Sequence, residues 1–202
     1  YMLRSNTITE PTTTPGEPTH TPVLTISSLT ICPEGSDDCD YQGSNGIQQA
    51  IVAAKNDTEI IIKKGHYEQV AIKIGVDGIA PKQKLTIKGE GTETVLKGNQ
   101  SDHIFTIKTH SEVIISDLSN SNAGGDGVNV SGNANVTVQK CTFSSNHYSA
   151  LAFLGTSAGV VNSNLITESM TYGGVTAGQN AKVLVSGNQI RANRTFGIEI
   201  QG

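Results

Sequence analysis

The chain has 202 residues, of which 16% are charged, and a formal net charge of −4. That length suits one domain with its own core, and the weakly acidic balance excludes a protein that binds nucleic acid through its phosphates. No apolar run approaches the roughly 18 residues that a membrane-spanning helix needs, so no transmembrane segment is predicted. The 22 glycines, the lack of tryptophan and the abundant threonine, serine and asparagine favour a β-rich protein that is secreted or displayed on a cell surface.

From Tyr1 to about Pro22 the sequence is rich in threonine and proline and has neither a helical nor a strand period, as in Thr12-Thr13-Thr14-Pro15-Gly16-Glu17-Pro18. Such a segment cannot bury enough apolar surface to offset its ordering entropy. We predict that residues 1–28 form an extended arm and residues 29–202 a folded domain. The arm is either a linker or stalk, or it packs on this domain or a neighbouring copy through Leu24 and Ile26, which begin a strand-like alternation.

Three cysteines follow the arm. Cys32 and Cys39 bracket a short polar loop, and because metal-ligand spacing is absent we predict a disulfide between them. Cys141 lies in an apolar pattern and is predicted to be a buried thiol. The polar loop also holds a weak calcium candidate without the spacing of an EF-hand, formed by Asp37, Asp38 and Asp40. No other cofactor is predicted.

One short amphipathic helix follows, over residues 44–55, with Ser44 or Asn45 as its N-cap. Its apolar face has the i, i+4, i+7 spacing and consists of Ile47, Ile51 and Ala54. The rest of the chain has the alternation of strands.

Pairs of apolar residues recur along the chain at a nearly constant interval, and the spacing of two within each pair is that of one strand face. The first series, offset by 23, 23 and 24 residues, is Val113/Ile115, Val136/Val138, Gly159/Val161 and Val183/Val185. The second, offset by 23, 23, 24 and 23, is Phe105/Ile107, Val128/Val130, Leu151/Phe153, Val175/Ala177 and Ile198/Ile200. Upstream, the first series continues in Ile60/Ile62 and Leu85/Ile87, and the second in Ile72/Ile74.

A repeat of this length with two or three strands and no helix must stack its strands in parallel, coil on coil. We therefore predict an all-β fold, a right-handed parallel β-helix of about six coils with the short helix as its N-terminal cap. Its corners carry polar columns whose side chains bond along the stack, such as Asn164–Asn188 and Asn146–Ser169–Asn193.

The opening of the domain contains three recognisable segments: Leu29-Thr30-Ile31, Gly46-Ile47-Gln48-Gln49-Ala50-Ile51 and Ile60-Ile61-Ile62-Lys63-Lys64-Gly65-His66-Tyr67. Together they resemble the opening of pectate-lyase-like right-handed β-helix proteins, in which a helix caps the solenoid and a Gly-x-Tyr follows the first strand. The resemblance implies the fold of residues 29–202. It implies little about function, because that group includes lyases, hydrolases, phage fibres, adhesins and non-enzymatic surface proteins.

No catalytic residue is predicted. Enzymes of this fold that cleave polysaccharides need carboxylates grouped on one face, usually with an arginine or lysine. Asp126 and Glu168 align, coil by coil, only with residues that are not acidic. Asp117 and Asp126 share a glycine-containing loop and form one weak candidate pair for catalysis or calcium binding, whereas a solvated turn is the simpler interpretation. The histidines show no ligand spacing.

Tyr148 and Tyr172 are 24 residues apart and should be neighbours on successive coils, with His147 beside them. This is the best candidate for a patch that faces sugar, since an aromatic ring offers an apolar face and, in tyrosine, a polar tip. An aromatic ladder that only packs is the alternative. Five N-glycosylation sequons are also present, with acceptors Asn56, Asn99, Asn129, Asn135 and Asn193.

In the first series the residue between two inward residues points outward. These outward positions are Ile61, Thr86, Ile114, Thr137, Val160 and Leu184, four of which are aliphatic. An exposed apolar stripe marks a contact surface unless the arm or loops of the same domain cover it. The sequence also stops within a strand pattern, so we expect its last coil to continue into further chain or to be covered, for example by the arm of another copy.

These features favour an extracellular or cell-surface structural protein that self-associates into a homo-oligomer or fibre. The assembly residues would be Leu24, Ile26, Ile114, Val160 and Leu184. The alternative is a carbohydrate-binding or polysaccharide-cleaving β-helix domain, or a fragment of one, with a polysaccharide partner. A receptor-binding or adhesive module is a third hypothesis. Particle size discriminates between them, because long polymers support assembly and a uniform monomer does not.

Overall fold

The computed structural model describes residues 27–201, so Leu24 and Ile26 of the predicted arm lie outside the described residues. The described residues form one helix and twenty strands. In chain order these are β1 (Ser27–Cys32), β2 (Tyr41–Gln42), α1 (Gly43–Ala53), β3 (Thr58–Ile62), β4 (Gly65–Val70), β5 (Ile72–Ile74), β6 (Leu85–Gly89), β7 (Thr94–Gly98), β8 (Phe105–Ile107), β9 (Glu112–Ser116), β10 (Ser119–Ser121), β11 (Val128–Val130), β12 (Asn135–Gln139), β13 (Thr142–Ser144), β14 (Leu151–Phe153), β15 (Ala158–Asn162), β16 (Leu165–Thr167), β17 (Val175–Gly178), β18 (Lys182–Ser186), β19 (Gln189–Arg191) and β20 (Ile198–Gln201).

The strands form three parallel sheets that wrap around one core. The first sheet has the order β18-β15-β12-β9-β6-β3-β1-β2, the second β19-β16-β13-β10-β7-β4 and the third β20-β17-β14-β11-β8-β5. Each successive coil contributes one strand to each sheet, so the chain makes six coils from β3 to β20. The predicted parallel β-helix is therefore confirmed.

The predicted columns agree with the observed register over most of the chain. Val138 pairs with Ile115 on one side and with Val161 on the other, and Val161 pairs in turn with Val185. The second series is likewise in register from Ile72 to Ile198. Ile115, Val138 and Val161 are fully buried, as expected for inward positions.

The upstream register differs from the prediction by two residues. Ile60 lies opposite Ile87 instead of Leu85, and Ile61 lies opposite Lys88. A slip of two residues keeps the same side chains facing inward, so hydrophobic pattern alone does not distinguish the two registers. Ser27 and Ser28 pair with β3 as part of β1.

From β10 onward each strand of the second sheet gives the core one inward side chain, whereas β4 buries both Tyr67 and Val70 and β7 buries both Thr94 and Leu96. One inward column runs through all six strands. This column consists of Tyr67, Leu96, Asn120, Phe143, Ile166 and Ile190. Tyr67 is buried and its hydroxyl donates to the carbonyls of Lys63 (2.9 Å) and Ile31 (3.2 Å). Asn120 is a buried polar member whose amide donates to the carbonyl of Gly127 at 3.2 Å.

Sharp corners connect the sheets, and single residues with positive φ recur in them. Those that end first-sheet strands are Asp117, Lys140, Ser163 and Gly187, with φ of 56°, 54°, 57° and 64°. Those that end second-sheet strands are Asn122, Ser145, Glu168 and Ala192, with φ of 57°, 53°, 59° and 53°. A single residue in the left-handed region of φ and ψ turns the chain sharply, which lets three short strands close a coil.

Asparagine side chains tie successive corners together. Asn164 Oδ1 accepts the N–H of Cys141 at 2.9 Å, and Asn188 Oδ1 accepts the N–H of Asn164 at 2.9 Å. In the next corner Asn193 Oδ1 accepts the N–H of Ser169 at 3.0 Å. The predicted Asn164–Asn188 link is confirmed. The side-chain link predicted between Asn146 and Ser169 is absent within residues 27–201, where Ser169 Oγ has no partner.

Helix α1 caps the first coil and buries Ile47, Ala50 and Ile51 against the core. It begins at Gly43, and its N-cap Gln42 makes no side-chain capping bond, so the predicted cap at Ser44 or Asn45 is wrong. At the other end Lys82 Nζ donates to the carbonyls of Ala54 (2.6 Å) and Val52 (3.3 Å). A cation there compensates the carbonyl groups that a helix leaves unpaired.

The predicted disulfide between Cys32 and Cys39 is present, with a Cα–Cα distance of 5.8 Å. Cys141 is a free, buried thiol, as predicted. It lies in a first-sheet corner beneath Asn164.

Candidate functional site

A groove runs along the outer face of the third sheet, across successive coils. Its floor is formed by the outward residues Asn129, Ala152 and Thr176, which pair in register as members of β11, β14 and β17. Although they face outward, they are only 8%, 5% and 6% exposed. Outward side chains become this buried only where walls rise on either side. The groove encloses about 320 Å³ and is lined by His103, Asp126, Asn129, Tyr148, Ser149, Ala152, Leu154, Tyr172, Thr176 and Gln201.

Tyr148 and Tyr172 form one wall. Their ring centroids lie 5.7 Å apart with an interplanar angle of 53°, and the residues are 41% and 45% exposed. Their hydroxyl groups make no hydrogen bond within residues 27–201, so each offers a ring face and a free polar tip to the groove. The register of the coils thus places the two predicted sugar-facing tyrosines side by side.

His147 lies on the far side of this wall. Its ring centroid is 5.1 Å from that of Tyr148, but the side chain lines a separate depression that also includes Met170 and Asn122. His147 is therefore a neighbour of the tyrosine wall that does not line the groove.

Asp126 lies at the N-terminal end of the groove, with its side chain 7% exposed. Its Oδ1 accepts the backbone N–H of Ser149 at 2.9 Å, and its Oδ2 accepts the amide of Asn129 at 2.8 Å. Burial raises the pKa of Asp126, while the bonds from Asn129 and Ser149 and the neighbouring His103 act in the opposite direction. The carboxyl group is therefore held by neighbours on its own and the next coil.

His103 stands one coil before Asp126 and belongs to the same site. Its Nδ1 accepts the backbone N–H of Asp126 at 2.8 Å and lies 3.3 Å from Asp126 Oδ2. Because Nδ1 accepts a hydrogen bond, the neutral imidazole carries its proton on Nε2. Nε2 is thus available as a donor to whatever enters the groove.

The hydroxyl groups on the floor bond to one another. Ser149 Oγ and Thr176 Oγ1 are 2.8 Å apart across one coil step. Beyond Thr176, the next outward residue of the third sheet is Glu199. Glu199 Oε1 accepts the amide of Gln201 at 2.9 Å.

The carboxyl groups of Asp126 and Glu199 are too far apart to act together as the acid and base pair of a hydrolysis. Asp126 and Glu199 belong to coils three steps apart, a separation of about 14 Å at the usual strand spacing. Glycoside hydrolysis uses carboxyl groups about 5 to 9.5 Å apart. Asp117 does not supply the missing partner, because it lies at a first-sheet corner, where its carbonyl accepts the N–H of Gly91. Asp117 and Asp126, the weak pair considered from the sequence, lie before and after β10.

The acidic loop near the disulfide contains the weak calcium candidates Asp37, Asp38 and Asp40. Asp40 Oδ2 accepts the N–H (2.7 Å) and the hydroxyl (2.8 Å) of Thr30, and these bonds lower the pKa of Asp40. Asp37 and Asp38 are exposed. Within residues 27–201 no three His, Cys, Asp or Glu side chains converge on one point.

The five sequon asparagines differ in accessibility. Asn56 and Asn135 are exposed, whereas Asn99 and Asn193 are half-buried. Both of the half-buried residues use their side chains in hydrogen bonds to the backbone. Asn129 lies on the groove floor with its amide bonded to Asp126, which makes it the least accessible of the five.

The outward column of the first sheet runs through Thr86, Ile114, Thr137, Val160 and Leu184. Ile61 is not part of it, because the two-residue slip places Glu59 next to Thr86. Leu184 is 63% exposed, and Ile114 and Val160 are half-buried. The predicted assembly residues Ile114, Val160 and Leu184 therefore share one face, opposite in direction to the core residues beside them.

Comparison with known proteins agrees with this architecture. The family model described as "Right handed beta helix region" matches residues 85–202, which include the groove. The chain belongs to this family. No curated protein and no solved structure matches the chain. Among the described residues, no helix is long and apolar enough to cross a membrane.

Sequence reasoning missed His103 and Ser149 as members of the site. The signal was available, because His103, Asp126 and Ser149 follow one another at intervals of 23 residues. Looking only for a second acidic residue at this 23-residue spacing misses both His103 and Ser149.

Proposed function

We propose that this β-helix binds carbohydrate in the groove of the third sheet, outside the cell. The observation that carries the proposal is the exposed Tyr148–Tyr172 pair above a floor of small and polar side chains. A sugar ring has an apolar face that stacks on an aromatic ring and a rim of hydroxyl groups that need hydrogen-bond partners. The groove supplies both kinds of contact within one concavity, as ligand sites usually do.

The polar partners are arranged along the same line. The tyrosine hydroxyls lie on the wall, and Nε2 of His103 is a free donor at the N-terminal end of the groove. Asn129 bonds to Asp126 through its amide nitrogen, at 2.8 Å, so its amide oxygen remains available as an acceptor. Because Asn129, Ala152 and Thr176 come from successive coils, equivalent positions recur along the groove at the coil spacing. A ligand made of repeating units fits such a surface better than a single compact molecule.

The arrangement favours binding without cleavage. Asp126 is held by two donors, and Glu199 is too distant to act with it as an acid and base pair. We therefore propose a binding domain, in agreement with the absence of a predicted catalytic residue.

The test is binding of glycan oligomers to the intact chain by isothermal titration calorimetry. Replacing both Tyr148 and Tyr172 with alanine should reduce affinity at least tenfold, since each loses a stacking contact of about 1 kcal/mol. Met170→Ala is the matched control, because Met170 is 43% exposed and lies across the wall from the groove. Equal affinity of the double variant and the wild type would exclude the groove as the binding site.

The outward column of the first sheet favours a second function, self-association. Ile114, Val160 and Leu184 present aliphatic side chains on one face, and such a patch is commonly a contact surface. We propose that a second copy covers this column through the segment containing Leu24 and Ile26, as a head-to-tail contact that continues into a fibre. The separate positions of this column and the groove allow both functions in one molecule.

Light scattering and electron microscopy test this assembly. Val160→Thr with Leu184→Thr should lower the average particle mass, because threonine keeps the strand preference and removes apolar area. Deleting residues 1–26 should do the same. Unchanged particle size in both variants would exclude this contact.

The disulfide supports a location outside the cytosol, because such bonds persist in oxidising compartments. Fractionation of cells that produce the protein, with detection of the Cys32–Cys39 bond by mass spectrometry, tests the location. Recovery of the protein in the cytosol with both thiols reduced would contradict it.

A further inference from the structure

The groove lacks a fixed positive charge. Among its ten lining residues the ionisable groups are Asp126, His103 and the two tyrosine phenols, and none is a lysine or arginine. Among the outward residues in register with the groove floor, the nearest lysine is Lys73, two coils before Asn129. Lys73 Nζ is already paired with Asp77 at 2.6 Å.

Both oxygens of Asp126, the one buried acid of the groove, already accept hydrogen bonds from the protein. Asp126 Oδ1 is bonded to Ser149 and Oδ2 to Asn129, and Oδ2 further contacts His103. Because its side chain is 7% exposed and both oxygens already accept hydrogen bonds, the carboxyl group offers little accessible surface to a ligand ammonium. The opposite end carries another acid, Glu199, beside Thr176.

From this distribution we infer that the groove selects neutral glycans and rejects polyuronates and other acidic polysaccharides. The inference rests on the proposed function and specifies its ligand class. A uronate in the groove would lie between Asp126 and Glu199 without a cation to compensate its charge. Burying an unpaired carboxylate near another is unfavourable, because neither burial nor like charge stabilises the ionised form.

Neutral hydroxyl groups meet suitable partners instead. The free groups along the groove are the hydroxyls of Tyr148 and Tyr172, Nε2 of His103 and the amide of Gln201, which bonds only to Glu199 within the described residues. All of these donate or accept without a formal charge when the imidazole is neutral. Recognition by such groups depends little on salt concentration.

The experiment uses matched oligosaccharides that differ only in charge. Each backbone is presented to the full chain as the uronic acid, as its methyl ester and as the corresponding neutral sugar, with an amino-sugar oligomer as the cationic probe. For an oligosaccharide backbone that binds, we expect the neutral form to have at least tenfold higher affinity than the acid. The affinity of the neutral form should change little with added salt. Tighter binding of the acid or of the cationic oligomer would overturn the inference.

A gain of function gives an independent test. Ala152→Arg places a cation on the groove floor and should bring the affinity for the acid to within about threefold of that for its neutral counterpart, or above it. Ala152→Gln is the control for added bulk, and it should leave the preference for the neutral form unchanged. If Ala152→Arg leaves the ratio of the two affinities unchanged, charge does not set the selectivity and the inference is wrong.

The outcomes separate the two proposals. Binding that depends on the tyrosines but prefers the acidic oligomer contradicts the inference and keeps the proposed function. Failure of every oligomer to bind, with Tyr148 and Tyr172 intact, contradicts the proposed function and the inference with it.

Discussion

Oδ2 of Asp126 lies 3.3 Å from Nδ1 of His103, and the same Nδ1 accepts the backbone N–H of Asp126 at 2.8 Å. His103 and Asp126 therefore connect two successive coils at the N-terminal end of the groove. Asp126→Ala would leave the N–H of Ser149 and the amide of Asn129 without their acceptor. We expect a loss of about 1–3 kcal/mol in the free energy of unfolding, measured with urea. Asp126→Asn keeps one acceptor and should lose less; equal stability of all three proteins would contradict the observed bonds.

The same carboxyl group should make stability depend on pH. Burial raises the pKa of Asp126 in the folded state, so the folded chain binds this proton more tightly than the unfolded chain. The stabilisation of the folded state by this tighter proton binding is complete below the unfolded pKa of about 4. It is lost as the pH rises through the raised pKa of the folded state. The difference in unfolding free energy between wild type and Asp126→Asn should fall over this range. Repeating the comparison in a His103→Gln background removes any contribution from titration of the imidazole. A difference in unfolding free energy that rises with pH would contradict the direction of the Asp126 pKa shift.

Val160 and Val161 are neighbours in β15 that face opposite sides of the sheet. Val161 is fully buried, whereas Val160 is half-buried on the outer face. Val161→Asp should cost several kcal/mol or prevent folding, since it buries an unpaired charge. Val160→Asp should cost less than about 1 kcal/mol, because its carboxylate reaches solvent. Circular dichroism and urea unfolding check both variants, and comparable losses would show that the assigned faces are wrong.

Ala192 occupies a corner position with φ of 53°, where a residue with a Cβ is strained. Ala192→Gly should raise the free energy of unfolding by up to about 1 kcal/mol, because the relief of strain outweighs the added freedom of the unfolded chain. Ala158→Gly is the matched control. Ala158 lies in the extended strand β15, and there the same substitution should lower stability by roughly 0.5–1 kcal/mol. Thermal unfolding measures both, and changes of the same sign would refute the role of the corner.

Burial raises the pKa of the Cys141 thiol to about 12. Almost no thiolate therefore exists in the folded protein at neutral pH, and the thiol is closed to solvent. We expect a maleimide or disulfide reagent to leave Cys141 unmodified in native protein and to react with one thiol per chain in urea, with the Cys32–Cys39 bond intact. Rapid labelling of native protein would show that this corner opens.

The fold was predictable wherever two inward residues mark each strand. The first and third sheets have such pairs, as in Val136 and Val138, and their recurrence defines the register. From β10 onward the second sheet has one inward residue per strand, and in β10 that residue is the polar Asn120. A single position per coil has no alternation to recognise, so this sheet could be predicted only as a corner between the others.

The site was less predictable because it depends on which outward residues become covered. Tyr148 and Tyr172 could be paired by counting, but sequence spacing alone does not show on which side of the wall His147 lies. The partners of Asp126 come from the preceding coil, from its own coil and from the following one, and one of them is a backbone N–H, which carries no residue-type signal. The burial of a carboxyl group by such neighbours becomes apparent only in three dimensions.

The groove floor is built from equivalent positions, each supplied by one coil that touches only the coils before and after it. Duplication of the stretch that carries β14 would insert another floor residue and advance everything beyond it by about 4.8 Å, with no change in the side chains at the head. Removal of that stretch would shorten the floor by the same step. If the groove binds a glycan as proposed, the length of ligand that it accommodates would change in discrete increments, with no change at Asp126 and His103.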